Sequence, residues 1–407
     1  MIKKFFSSEL GKGALILFIT MNIFNILNFF FHFSMGRMLG PEDYRILAVL
    51  MSIIYVYNVP TEAIQTIISR YTSKFSLRKE GGKIKFLMLK ALKRGFRIAT
   101  LIFLPSIIIS IFLSVFLQIN FVLVLFTNIF IFFSFLSPIT KGILQGRKKF
   151  GLLGTNLIIE SGLKLLFAIS LVAFGFKTFG AMTGVLLGVS SGLIFSFYFN
   201  KDILKKEEEK VSFNNIYPKS VPYFITMFVI FLILSLDIIL ATKFFPPKLA
   251  GQYSALSMLG KMIFFATAAV GKAMFPLTSE KHEKKENTSK LFKKSILIIA
   301  SLCILAVLVY AFAPKLVIGI LYGSQYIDMA PYLVYSGLAL SFLSLSNLIL
   351  IYGLSTNKLK KSYFLFIFLI IEVVLLSLFH KTILEYILVF MVSNIIMLIG
   401  SSIIIRK

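Results

Sequence analysis

The chain has 407 residues, 58% apolar and only 15% charged, with a formal net charge of +26. A soluble domain of this size would show amphipathic periods and far more charge, so an all-α integral membrane protein is expected. In a soluble protein the positive charge would point to nucleic acid. Here the excess of Lys and Arg in loops on one side of a membrane accounts for it, and no nucleic-acid partner is expected. The single cysteine, Cys303, excludes an intramolecular disulfide and a thiolate metal site, and histidines at 32, 282 and 380 make no metal centre.

Twelve apolar runs have about the 17–25 residues of a membrane-spanning helix. The predicted spans are 13–35, 46–69, 98–117, 121–142, 153–175, 180–199, 221–242, 254–277, 295–313, 331–354, 363–379 and 383–405. Lys3 and Lys4 precede the first, whose run from Ala14 to Met35 is too long for the core of a cleavable signal. His32, near its outer end, reads as an interfacial histidine. In the second, Glu62 follows Pro60, which frees a backbone carbonyl and can kink the helix.

A basic segment from Arg70 to Arg97 leads to the third span. In it Ile84, Leu87, Met88, Ala91 and Leu92 recur at helical spacing, opposite Lys85, Lys90, Lys93 and Arg94. That pattern predicts an amphipathic interfacial helix resting on anionic lipid headgroups. In the fifth span Glu160 and Lys164 stand one turn apart and are able to neutralise each other. After the sixth, KDILKKEEEK (Lys201–Lys210) and SFNNIYPKS up to Ser220 read as a cytoplasmic linker with a short surface helix. Asp237 lies near the outer end of the seventh span, at the depth of Lys261 on the eighth, so a cross-helix ion pair is one reading. Lys261 and Lys272, eleven residues apart, share one helical face separated by roughly 16 Å. Glu280 to Ser295 is a second basic loop, matching the first. Ala313 to Pro331 reads as an outer cap or an extension of the ninth span, and Glu372 lies near the middle of the eleventh.

Of the 43 Lys and Arg, 33 fall on the side holding both termini, counting Lys141 at the inner edge of the fourth span, 7 on the other and 3 deeper within spans. This predicts a cytoplasmic-membrane protein with both termini inside. It also supports the even span count, because one missed helix would scramble the alternation.

The succession of spans occurs twice. Asn28 and Asp237, Tyr44 and Tyr253, and Pro105 and Pro314 are each separated by 209 residues. The predicted organisation is a six-helix bundle over 1–200, a linker over 201–220 and a second six-helix bundle over 221–407. Both halves enter the membrane from the same side, so they are parallel repeats. A duplicated membrane design points to a transporter with its substrate path between the halves.

Ionisable residues at membrane depth are costly, so each is a functional hypothesis, against pairing or snorkelling to the nearer interface. Lys164, Lys261 and Lys272 are the candidates to meet an anionic substrate. Asp237, Glu160, Glu62 and Glu372 are candidates for coupling or charge balance. No phosphate-cradling loop and no nucleophile elbow is present, so an enzyme is not expected and no cofactor is implied. Energy would come from a gradient, with H+ or Na+ as coupling ion.

Three stretches carry a family likeness: GRMLGPEDYRILAVLMSIIYVYNVPTEAIQTIISRY (Gly36–Tyr71), ITKGILQGRKKFGLLGTNLIIESGLKL (Ile139–Leu165) and LDIILATKFFPPKLAGQYSALSMLGKMIFFATAAVGKAMFPLTSE (Leu236–Glu280). They resemble the bacterial oligosaccharide flippase, or polysaccharide transporter, family, within the multidrug, oligosaccharidyl-lipid and polysaccharide exporter superfamily. The chain departs from the family at Arg45, which follows PEDY where a glycine is common. The resemblance implies two six-helix bundles around a central cavity that opens alternately to each side. It also implies a polyprenyl-pyrophosphate-linked oligosaccharide as cargo, with glycan polymerase and glycosyltransferases as partners. Lys164, Lys261 and Lys272 would meet the pyrophosphate. The rivals are a cation-coupled multidrug exporter of the same superfamily, which would need an acidic cavity, a membrane enzyme of glycan assembly, and a non-transport scaffold for glycan assembly.

Overall fold

The computed structural model describes residues 9–211, 221–359 and 361–406, and among these all regular structure is helical. The helices are α1 (Glu9–Tyr57), α2 (Val59–Leu77), α3 (Gly81–Leu117), α4 (Phe121–Thr127), α5 (Phe130–Gly146), α6 (Phe150–Leu171), α7 (Lys177–Phe199) and α8 (Lys201–Leu204), then α9 (Val221–Phe244), α10 (Pro247–Glu283), α11 (Ser289–Phe312), α12 (Pro314–Leu321), α13 (Leu333–Ser355), α14 (Leu365–Leu378) and α15 (Ile383–Arg406). Nine apolar stretches among the described residues are long enough to cross a membrane, and 362–378 is a shorter tenth. Two of the nine, 19–77 and 150–199, each hold two of the predicted spans. With these divided, the helices match the twelve predicted spans.

The divisions fall where the sequence allows them. α1 breaks at Gly40, whose φ of 71° and ψ of 173° suit only glycine, and the helix restarts at Pro41. The fifth and sixth spans turn at a π-helical segment, Val172–Phe176, where Gly175 has φ 89°. Pro60 acts as expected. The helix is interrupted at Asn58, whose N–H is shared between the carbonyls of Ile54 and Tyr55. A break at Asn128 separates α4 from α5, and there Tyr57 donates to Asn128 Oδ1 at 2.7 Å.

Two compact units result. The described residues within Met1–Met38 and Ile53–Lys219 form unit 1, and those within Leu39–Ser52 and Ser220–Lys407 form unit 2. The opening of the second span therefore packs with unit 2, although the sequence divides at 201–220. Tyr44 anchors it, buried with its hydroxyl 3.1 Å from that of Tyr322. Tyr322 and Tyr326 close the 313–331 segment as a separate cap, built from α12 and a 3-10 segment, Ser324–Tyr332.

The basic segment before the third span is not a free interfacial helix. α3 runs unbroken through it for 37 residues, about 55 Å against a hydrocarbon core of about 30 Å. Ile84, Leu87 and Met88 are buried against Ile68 and Phe75 of α2, Ile139 and Ile143 of α5, and Ile203 of α8. Protein, not lipid, covers that apolar face, because α3 is long enough to carry it past the bilayer into the company of α2 and α5.

The linker's first part is docked as well. Asn200 Nδ2 donates to the carbonyls of Thr140 and Ser196, and Arg147 forks onto both carboxylate oxygens of Asp202. Lys85 Nζ reaches the Lys206 carbonyl at 2.8 Å. A Cβ on Gly82 would strike the backbone of Glu207 and the side chain of Glu209, so a glycine lets the acidic run approach α3. The predicted linker residues 212–220 lie outside the described residues.

The repeat offset is not uniform. Gly95, Ala99 and Ser110 of α3 are buried, as are Ser295, Ile299 and Tyr310 of α11, and these pairs are 200 apart. Pro105 lies inside α3 whereas Pro314 opens α12, so that proline pair is not equivalent. The sequence between the second and third spans of the first half is longer by the difference.

Candidate functional site

In unit 1 the charges at membrane depth lie around α6. This helix packs on α7 through Gly180, Gly184, Gly188 and Gly192, a four-residue spacing that puts all four on one face. A Cβ at Gly184 would overlap Ala168, one at Gly188 would overlap Lys164 and the Glu160 carbonyl, and one at Gly192 would overlap the Glu160 carboxylate. Asn156 Nδ2 donates to the Gly192 carbonyl at 2.7 Å and ties the two helices. The stripe makes room for both charged side chains of α6.

Those two side chains do not pair with each other, although their spacing allows it. Glu160 Oε2 is 2.6 Å from Lys141 Nζ on α5. Lys164 runs instead towards α1, where its amine donates to Asn28 Oδ1 and lies 4.3 Å from the centre of the Phe31 ring. The reason is direction. Glu160 faces the α5 and α7 side, and Lys164, one turn on, reaches across to α1. Lys164 is buried and makes no ion pair among the described residues, so its neighbours are an amide and a ring.

Unit 2 holds a different constellation. Tyr253, Ser257 and Lys261 stand at successive four-residue intervals on α10 and converge on Asp237 of α9. Lys261 Nζ donates to Oδ1 at 3.1 Å, while Tyr253 and Ser257 donate to Oδ2. Tyr386 of α15 donates to the Asp237 carbonyl at 2.7 Å. Asp237 and Lys261 are both 0% exposed. Glu372 of α14 is buried in the same unit, and its Oε1 has no hydrogen-bond partner among the described residues.

The expected Lys261–Lys272 stripe is divided by packing. Lys261 is sealed in the ion pair, whereas Lys272 is exposed. Glu62 is half-buried in the first turn of α2. His32 is buried edge-on to Phe31. Cys303 is buried, as its role as a small apolar residue requires. Sequence reasoning missed Lys141, placed at a span edge, and Tyr386. The Tyr253–Ser257–Lys261 spacing was a usable signal, because polar residues four apart inside an apolar span share one face.

The sequence matches the model of a family described as polysaccharide biosynthesis protein, over residues 34–331. The chain belongs to the polysaccharide biosynthesis protein family. No curated protein matches it. Among solved structures this member of the family is similar to an inward-facing multidrug resistance MATE family transporter of the MOP superfamily, with TM-score 0.71 and 16% identity over 97% of this chain and 98% of the other. It is also similar to MATE in complex with MaL6, with TM-score 0.70 and 14% identity over 97% and 95%. A MOP superfamily transporter from Pyrococcus furiosus, whose binding pocket of reversed polarity suggests a different function for it, gives TM-score 0.66 and 16% identity over 97% and 95%. The fold is therefore that of the MOP transporters, and the chain is a multi-pass membrane protein.

Proposed function

We propose that this family member is a transporter that flips a polyprenyl-pyrophosphate-linked oligosaccharide from the cytoplasmic to the outer leaflet by alternating access, for cell-surface polysaccharide export. Lys164 carries the reading. A buried ammonium is costly at membrane depth unless its charge is answered. Among the described residues its hydrogen-bond acceptor is an amide, with an aromatic face beside it, and Glu160, one turn away and already paired with Lys141, answers the charge only in part. A pyrophosphate supplies the missing charge, and the prenyl tail stays in lipid. Membership of a polysaccharide biosynthesis family supports the glycan, and the MOP fold supports the transport.

Lys272, exposed on α10, is a second cation for the cargo. Lys261 is reassigned, because Asp237 already answers its charge. Asp237, Lys261 and Glu372 together suit coupling: Asp237 holds the ammonium in a fully buried site, and the charge of Glu372 acts on it from nearby. Every oxygen of Asp237 has a donor, which favours a proton over a sodium ion as the species exchanged. The orientation is N-in and C-in in a bacterial-type cytoplasmic membrane, with glycosyltransferases and a glycan polymerase as partners.

The test is complementation of a flippase-deficient strain. Lys164→Ala should insert at normal levels and abolish surface glycan. Normal glycan display would overturn the proposal. Efflux of a cationic dye with no effect on glycan would favour the drug-exporter reading instead.

A further inference from the structure

α11 enters the apolar layer in a fixed register. Phe292 stacks on Tyr352 of α13 with ring centres 4.1 Å apart, and the hydroxyls of Thr288 and Tyr352 are 2.8 Å apart. Ser295, Ile299 and Cys303 are buried on the same side. The register turns Lys290, Lys293 and Lys294 outward. Next along the same face, Leu297 is 67% exposed and Leu305 62%. Lys294, Leu297, Ile298, Ser301, Leu302 and Leu305 form one open strip along the helix. Lys290, Lys293 and Lys294 make no ion pair among the described residues, whereas Lys281 and Lys284 just before them pair with Glu286 and Glu280.

α3 repeats this pattern of exposure 200 residues earlier. Lys90, Lys93 and Arg94 are exposed, followed by Arg97 and then by exposed Leu101, Leu104 and Ile108. Gly95 and Ala99 are buried where Ser295 and Ile299 are. The two helices share charge and exposure with little identity, in separate units.

We propose that each face is a docking site for an anionic phospholipid of the bilayer, with the phosphate among the basic side chains and an acyl chain along the apolar face. A row of exposed leucines is a liability in water and a match for acyl chains in a membrane. The basic residues lie at one end of that row, where headgroups begin. The cluster is a net tripositive patch on α11, and a zwitterionic headgroup brings its own cation, so charge complementarity selects an anionic one. Each lysine at such a surface is worth about a fivefold gain in binding. The contact sits on the opposite side of α3 from the Ile84–Leu87–Met88 face that the sequence assigned to lipid. The inference does not depend on the cargo.

The experiment is native mass spectrometry of the full chain extracted from nanodiscs that contain phosphatidylcholine and phosphatidylglycerol in equal amounts. The wild type should retain phosphatidylglycerol. Lys290→Gln/Lys293→Gln/Lys294→Gln should lose it at least tenfold, with an unchanged melting temperature. The control Lys281→Gln/Lys284→Gln, which removes already paired lysines, should retain it. Equal retention of both lipids by the wild type, or undiminished phosphatidylglycerol on the triple variant, would overturn the proposal. Displacement of the bound lipid by an equimolar polyprenyl pyrophosphate would also overturn it, by showing a cargo-entry site instead. Should the triple variant melt early, Lys290→Arg/Lys293→Arg/Lys294→Arg must retain the lipid for the proposal to stand.

Discussion

Asn28 and Asp237 occupy equivalent places in the internal repeat, and each receives a lysine amine from another helix of its own unit. The lysines themselves are not equivalent. Lys164 belongs to the fifth span and Lys261 to the eighth. One acceptor is a neutral amide and the other a carboxylate, so the same meeting point holds an only partly answered charge in unit 1 and an ion pair in unit 2. This difference is the basis for assigning cargo to Lys164 and coupling to Asp237.

The assignment predicts the outcome of Asn28→Asp. A carboxylate beside Lys164 would answer its charge from within. The variant should be at least as thermostable as the wild type by melting temperature, and should lose glycan export in the complementation assay. Retained export together with raised stability would show that the charge of Lys164 is not what the cargo meets.

The pair in unit 2 predicts a different pattern. Removing one partner of a buried pair leaves an uncompensated charge and costs about 3–5 kcal/mol, whereas replacing both with apolar residues is often neutral. Asp237→Leu and Lys261→Met should each lower the melting temperature sharply, and the double variant should recover most of it. Asp237→Asn, close in shape, should slow transport without preventing cargo binding and should change the dependence on the proton gradient. An unchanged ion dependence would count against coupling through Asp237.

Span positions were legible because hydropathy and the excess of Lys and Arg on one side are strong, additive signals. The kink ahead of Pro60 was legible from residue type, and the break at Gly40 falls between the first two predicted spans. Partner choice among the buried charges was not. The spacing of Glu160 and Lys164 permits a pair, but a helix sequence does not say which neighbour each side chain faces, and Lys141 and Asn28 come from 19 and 136 residues away. The amphipathic stretch before the third span misled for a related reason. Its period shows that one side is covered without showing whether lipid or protein covers it.

The glycine stripe of α7 carries a packing prediction. Gly184→Leu would drive side-chain atoms into Ala168, and overpacking of this kind costs about 1–3 kcal/mol or more. Gly188→Ala would push on Lys164 and should lower both melting temperature and export. Gly162, on α6, has nothing within 4 Å of its would-be Cβ. Gly162→Ala should therefore be neutral or stabilising by about 0.4–1 kcal/mol, through the unfolded chain. Equal effects at Gly162 and Gly188 would mean that helix propensity, not close approach, decides the outcome.

The clamp at Asp202 predicts how the docked part of the linker responds to pH. The Arg147 hydrogen bond, with the charges of Arg147 and Lys149, holds the Asp202 carboxyl well below the usual carboxylate range. A carboxyl depressed in the folded state stabilises above its unfolded pKa of about 3.9, and the gain is lost as pH falls towards the folded value. The side chain is about half exposed, so the gain is screened and falls within the ~0–1 kcal/mol typical of surface pairs. Hydrogen exchange across 200–206, corrected for intrinsic rates, should stay slow from neutral pH to about pH 4 and quicken only in stronger acid. Asp202→Asn should show the fast exchange already at neutral pH, with Ile203 losing its seat against α3 and α5. Slow exchange in that variant at neutral pH would place the anchor in the Asn200 hydrogen bonds instead.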